Sequence, residues 1–113
     1  MSWPDIIEGT SRSAFEVELL HERLARYVTA HPEDDRAAGA WAAARWCLGE
    51  TDRHPITDAV GSAGRGATRD EAFTAATIRR GIADGDHVRA AGVEAWLDWW
   101  TCQAPAPEWL TRR

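Results

Sequence analysis

The sequence predicts an all-α protein, a compact bundle of about four helices. Three observations carry that prediction. Twenty-one of the 113 residues are alanine, the strongest helix former. Apolar residues recur at three- and four-residue spacing in segments bounded by Ser, Thr, Asp, Gly and Pro. Leu, Ile, Val and Phe total only 18, a share close to that of disordered chains, but seven tryptophans can supply the missing core volume. The length fits a single helical domain over residues 1–113.

Residues 1–12 read as an N-terminal arm. Pro4 and Gly9 interrupt regular structure there, and Trp3, Ile6 and Ile7 can tie it to the body. The first helix is expected over residues 13–30. Ser13 and Glu16 have the spacing of a capping box. Phe15, Leu20, Leu24 and Tyr27/Val28 mark its inward face, while Glu18, Glu22, Arg23 and Arg26 fall mostly elsewhere. Glu22 and Arg26 are four apart in the favourable order. His31-Pro32 ends this helix, because the residue before proline resists the α region.

A second helix starts near Pro32 or Glu33 and ends at Gly49. Glu33, Asp34 and Asp35 suit the positive end of its dipole, and Gly49 suits the position just past its end. Trp41 and Leu48 share a face, and Trp46 lies about 140° from Trp41 around the axis. Only Arg36 and Arg45 are polar in the body of this helix, so it should be central. Residues 50–67 follow as a flexible, Gly-rich connection with Gly61, Gly64 and Gly66, and 55–60 can make one helical turn.

The third helix is expected from Thr68 to about Ile82. Thr68 and Glu71 form a second capping-box pattern, Asp70 and Glu71 suit the helix start, and Phe73, Ala76 and Ile78/Ile82 point inward. The fourth begins near Asp86 and reaches Thr101 or Cys102. Val93, Trp96, Leu97 and Trp100 form one face, Trp99 sits on its shoulder, and Glu94 and Asp98 mark the wet side. Pro105 and Pro107 impose an extended tail over 103–113, which can lie across the body through Trp109 and Leu110. No internal repeat is evident at this level.

The net charge of −5 is uneven. Eight acids face three arginines in residues 1–35, whereas the rest of the chain holds ten of each sign. That distribution disfavours nucleic acid, which needs a basic footprint. It leaves an acidic first helix able to meet a basic partner, or simply a solvated face. Arginine without a single lysine, beside so much alanine, reads as a GC-rich codon supply. Cys47 and Cys102 are far apart and form no CxxC pair, and no secretory signal or membrane-length apolar run is present. The expectation is a cytoplasmic protein with reduced, buried thiols and no membrane association.

Chemistry is sparsely signalled. The loop "GSAGRGAT" precedes a helix, but it lacks the Gly-Lys-Ser/Thr ending and the preceding strand of a phosphate cradle. His21, His31, His54 and His87 form no i, i+3 or i, i+4 pair, so no metal or cofactor is expected, and His31 and His87 should face solvent. Neither cysteine has a base nearby in sequence, and no catalytic residue is assigned. The third and fourth helices have the short turn of a helix-turn-helix, with Arg79, Arg80 and Arg89 as phosphate contacts. The fourth offers apolar side chains where base readout needs polar ones. Trp46, Trp99 and Trp109 are candidate partner anchors if exposed, the alternative being that the tail covers them.

The stretch "RAAGAWAAARWCLGETDRHPIT" (36–57), through Trp46, Leu48, Gly49, Thr51, Asp52 and Pro55, resembles a segment of small helical proteins from actinobacterial phages and prophages. It covers about a fifth of the chain, and the resemblance implies a phage or mobile-element origin without transferring any enzymatic residue. The expected function is a non-enzymatic protein-interaction module that binds a host or virion protein. Glu16, Glu18, Glu22, Trp46, Trp99 and Trp109 are its candidate partner-binding residues, with homo-oligomerisation through a Trp-rich face as an option. One version is an inhibitor of a host defence or nucleic-acid enzyme, with the three glutamates mimicking phosphate. The rivals are a DNA-binding regulator and a virion structural component.

Overall fold

A computed structural model describes residues 7–111, so Trp3, Pro4 and Ile6 of the expected arm lie outside the described residues. The first helix, α1 (Ala14–Ala30), starts at the predicted capping box: the Glu16 N–H donates to Ser13 Oγ at 3.1 Å and the Ser13 N–H to the Glu16 carboxylate at 3.4 Å. It buries Val17, Leu20 and Leu24. Phe15, expected inward, points out and is 74% exposed. The helix carries two apolar stripes, and the branched aliphatic one won the core.

The second helix, α2 (Asp35–Cys47), starts slightly later than Pro32 or Glu33. Asp34 accepts the Arg36 and Ala37 N–H groups at 2.9 and 3.2 Å and so fixes the first turn. Gly49 takes the left-handed conformation just past the end, φ +76°, as expected. The third helix, α3 (Arg65–Arg79), begins three residues before the expected Thr68, and Gly64 at its N-cap offers no side-chain cap. Thr68 and Glu71 therefore lie inside α3, both buried, and make no capping box. Phe73 and Ile82, expected inward, are both 75% exposed. The fourth, α4 (His87–Trp100), is capped by Asp86, which accepts the Val88 and Arg89 N–H groups at 3.0 Å. The tail is not wholly extended: Pro107 leads into one turn, α5 (Glu108–Thr111), and Leu110 is buried.

Packing runs in series, α5 on α1, α1 on α2, α2 on α4 and α4 on α3. The radius of gyration, 13.0 Å, is that of a compact chain of this length. No helix among the described residues is long and apolar enough to cross a membrane.

The centre is the crossing of α2 and α4, where the helices touch backbone to backbone. A Cβ on Gly39 would stand 2.1 Å from the Arg89 carbonyl oxygen, and one on Gly92 would stand 1.8 Å from that of Arg36. Ala37, Ala40, Ala43, Ala44 and Ala90 surround the contact, all buried. Small side chains are what permit such an approach. The reciprocity of the two glycine contacts uncovers a repeat that the initial reading missed. Residues 36–39 and 89–92 both read Arg-Ala-Ala-Gly, and at the same spacing further on Trp46 matches Trp99, while Gly49 matches Cys102. The ends match in geometry too. The Glu50 N–H returns to Arg45 O at 2.9 Å and the Gln103 N–H to Asp98 O at 2.7 Å, each with a left-handed residue before it.

Candidate functional site

The buried polar side chains converge on the connection between α2 and α3. It is a built loop rather than open chain, and residues 65–67 belong to α3. Within it His54 N–H bonds Ala59 O at 2.8 Å and Gly61 N–H bonds Asp52 O at 2.8 Å, around an isolated antiparallel bridge between Arg53 and Val60. The Asp58 N–H reaches His54 O at 3.1 Å, closing the single expected turn. Glu71 holds this loop from α3. Its carboxylate, 2% exposed, accepts the Ile56 N–H at 2.9 Å, the Thr57 N–H at 3.4 Å and the Thr57 hydroxyl, and it lies 3.2 Å from His54 Nδ1. A buried carboxylate needs such donors to offset its lost hydration. The His54 ring packs on Trp46, centroids 4.5 Å apart, and the Trp46 indole N–H donates to Gly61 O at 2.8 Å.

Among the described residues this arrangement fixes the position of His54. The nearest hydroxyl, Thr57, donates to the same carboxylate, and burial pushes the Cys47 thiol well up, which keeps it protonated. The Glu71 cluster closes a loop. Its only sequence signal was the Thr68–Glu71 pair, which reads equally well as a cap. Among the described residues no group of three or more His, Cys, Asp or Glu is placed to hold a metal ion.

The candidate partner-binding residues separate into two classes. Trp46 and Trp99 are core residues, at 1% and 4% exposure, so neither is available as the surface anchor anticipated. Trp109 is half-buried, edge-on to Tyr27 at 5.1 Å and beneath the Arg36 guanidinium at 4.4 Å. It pins the tail to α1 and α2. The glutamates all lie on the exposed side of α1. Glu16 is engaged by its cap and by Arg12 at 3.6 Å, and the hydrogen bonds from Ser13 hold its carboxyl below the usual range. Glu22 pairs with Arg26 at 2.6 Å. Glu18 has no ion pair among the described residues.

What the sequence reading missed is the apolar content of that same face. Phe15 and Leu19 are one turn apart and stand opposite Val17, Leu20 and Leu24, with Leu19 41% exposed. Glu18 and Glu22 lie along one side of them, with Arg26 on the same face. A second outward face, on α3, has the opposite charge. Arg69, Phe73 and Arg80 line up there at four- and seven-residue spacing, beside an open cleft of about 290 Å³ that reaches Glu94 and Asp98. Burial, helped by Glu94, raises the Asp98 carboxyl. Arg79 does not join this face, because it is paired with Glu94. His31 and His87 face solvent as expected, and Cys102, expected to be buried, is exposed. Comparison of the chain with protein-family models, curated proteins and solved structures finds no match.

Proposed function

We propose that this chain is a non-enzymatic protein-interaction module, an accessory protein of phage or mobile-element origin, that docks a host or virion protein through the outward face of α1. The observation that carries the reading is Phe15, a large aromatic ring held almost fully in water on a regular helix. Exposed aromatic anchors with a polar rim are the usual content of an interface centre. Leu19 extends the anchor, and Glu18 and Glu22 set the charge of the rim. The matching partner presents an apolar groove edged by arginine or lysine, into which an amphipathic helix can lie.

Phosphate mimicry has less support than apolar docking. With Glu16 and Glu22 engaged locally, only Glu18 is uncommitted among the three. The DNA-binding alternative is weaker again, because α4, the would-be recognition helix, is the most buried helix and Arg79 is paired.

The test is capture from a host lysate by the wild-type chain and by the double variant Phe15→Asp, Leu19→Asp. Both positions point away from the core, so helical content and melting should be unchanged. A specific partner captured by wild type should bind the variant about 30-fold more weakly, the loss expected at a central anchor. Equal capture by both proteins overturns the reading.

A further inference from the structure

We infer that the outward face of α3 receives the outward face of α1 from a second copy of this chain, so that the protein self-associates head to tail. The inference rests on the reading of α1 as a docking face. The two faces carry uncommitted charges of opposite sign, Glu18 on α1 against Arg69 and Arg80 on α3, where the neighbouring Glu94 is already paired with Arg79. On α1, Phe15 and Leu19 form an apolar ridge with Glu18 and Glu22 beside it. On α3, Phe73 stands 75% exposed between Arg69 and Arg80, and neither arginine has an ion-pair partner among the described residues. Placing ridge against ring lets an uncommitted arginine of α3 meet Glu18, which gains its first partner, while Glu22 keeps Arg26 beside it.

The joint is heterologous, since it pairs two different faces. The faces sit at opposite ends of the packing series, α1 outside α2 and α3 outside α4. One joint leaves a free α1 face on one copy and a free α3 face on the other, so further copies can add until the assembly closes on itself. One short helix laid on another lies at the low end of interface size, so the joint is weak and populated only at high concentration. Its charge pairs are at the surface and should be screened by salt. Self-association also covers the α1 face and so competes with the proposed partner.

The experiment is sedimentation velocity of the full chain with reductant present, over a concentration series at low and at high ionic strength. Two variants accompany wild type: Glu18→Arg with Glu22→Arg, and Arg69→Glu with Arg80→Glu. Wild type should gain mass with concentration and lose it at high salt. Each variant alone should associate at least tenfold more weakly, since like charges then face each other. An equimolar mixture of the two should recover association, because each joint in the mixture pairs opposite charges again. A wild type that stays monomeric throughout overturns the inference, as does association that both variants retain, or a mixture no better than its components. The α3 variant leaves α1 intact, so its capture of a lysate partner should equal or exceed that of wild type. Self-association failing while that capture persists overturns the second-copy inference alone. Capture insensitive to Phe15 and Leu19 overturns the docking reading itself.

Discussion

α2 and α4 are the same helix used twice, and they differ mainly in what covers them. Both carry Arg-Ala-Ala-Gly at the crossing, both present a buried tryptophan at the same later position, and both end on a left-handed residue. The cover over Trp46 is His54, held in place through Glu71. The cover over Trp99 is Arg12, whose guanidinium lies 5.1 Å from the ring and donates to the Trp99 and Ala104 carbonyls, both at 3.0 Å. One helix is sealed by a buried anion that collects loop amides, the other by a cation on its own C-terminal carbonyls. The shared element is the crossing, where side chains are absent. The unshared elements are two unrelated segments that meet the same need, the covering of an indole.

The largest effect should come from breaking the shared element. In an open helix Gly→Ala stabilises by about 1 kcal/mol. At Gly92 the new methyl would sit 1.8 Å from a carbonyl oxygen of the facing backbone, and at Gly39 2.1 Å. Neither can rotate away, so the helices must separate and the surrounding alanine contacts open. Each substitution is expected to cost about 3 kcal/mol or more, Gly92→Ala at least as much as Gly39→Ala. Denaturant titration followed by tryptophan fluorescence measures this. A neutral or stabilising result at either glycine would show that the reciprocal contact is not the centre of the fold.

The two covers provide the next comparison. Glu71→Ala strands four loop donors and should cost about 2–3 kcal/mol, with amide exchange at Ile56 and Thr57 accelerated first. Arg12→Ala removes two bonds from a partly buried site still open to water and should cost about 1 kcal/mol. Equal losses would mean that full burial of the carboxylate adds nothing over the partly buried arginine.

The sequence made some of this legible and hid the rest for identifiable reasons. Ser13, Asp86 and Gly49 mark helix ends by local chemistry, and local chemistry was enough to place them. Glu71 was misplaced because Ser/Thr-x-x-Glu is also a spacing that arises within a helix. The actual cap, Gly64, has no side chain to announce it. Phe15 and Phe73 read as inward because they fall close to the helical spacing of their apolar neighbours, and that spacing leaves two stripes to choose from. In this fold the aromatic volume of the core comes from the tryptophans of α2 and α4, and α1 contributes Val17, Leu20 and Leu24. That choice of stripe leaves Phe15 and Phe73, the rings of both candidate docking faces, in water. The Arg-Ala-Ala-Gly repeat was present in plain text, but its meaning is a contact between backbones, which no single helix reveals.

The smallest effects test whether the two helix ends are equivalent as well as alike. Gly49 and Cys102 hold the same left-handed position, with φ +76° and +62°, and Gly49 has no neighbour within 4 Å of where a Cβ would lie. Packing is thus absent at Gly49, and conformation alone decides the outcome. For a residue with a Cβ this conformation costs roughly 1–2 kcal/mol, whereas glycine loses roughly 0.5–1 kcal/mol more chain entropy on folding. The difference should appear with opposite signs. Gly49→Ala is expected to destabilise by about 1 kcal/mol, and Cys102→Gly to stabilise by about 0.5 kcal/mol, both read as shifts in denaturation midpoint at unchanged slope. If Cys102→Gly were instead destabilising, the thiol would be making a contact that its exposed position conceals, and the two ends would match in backbone only.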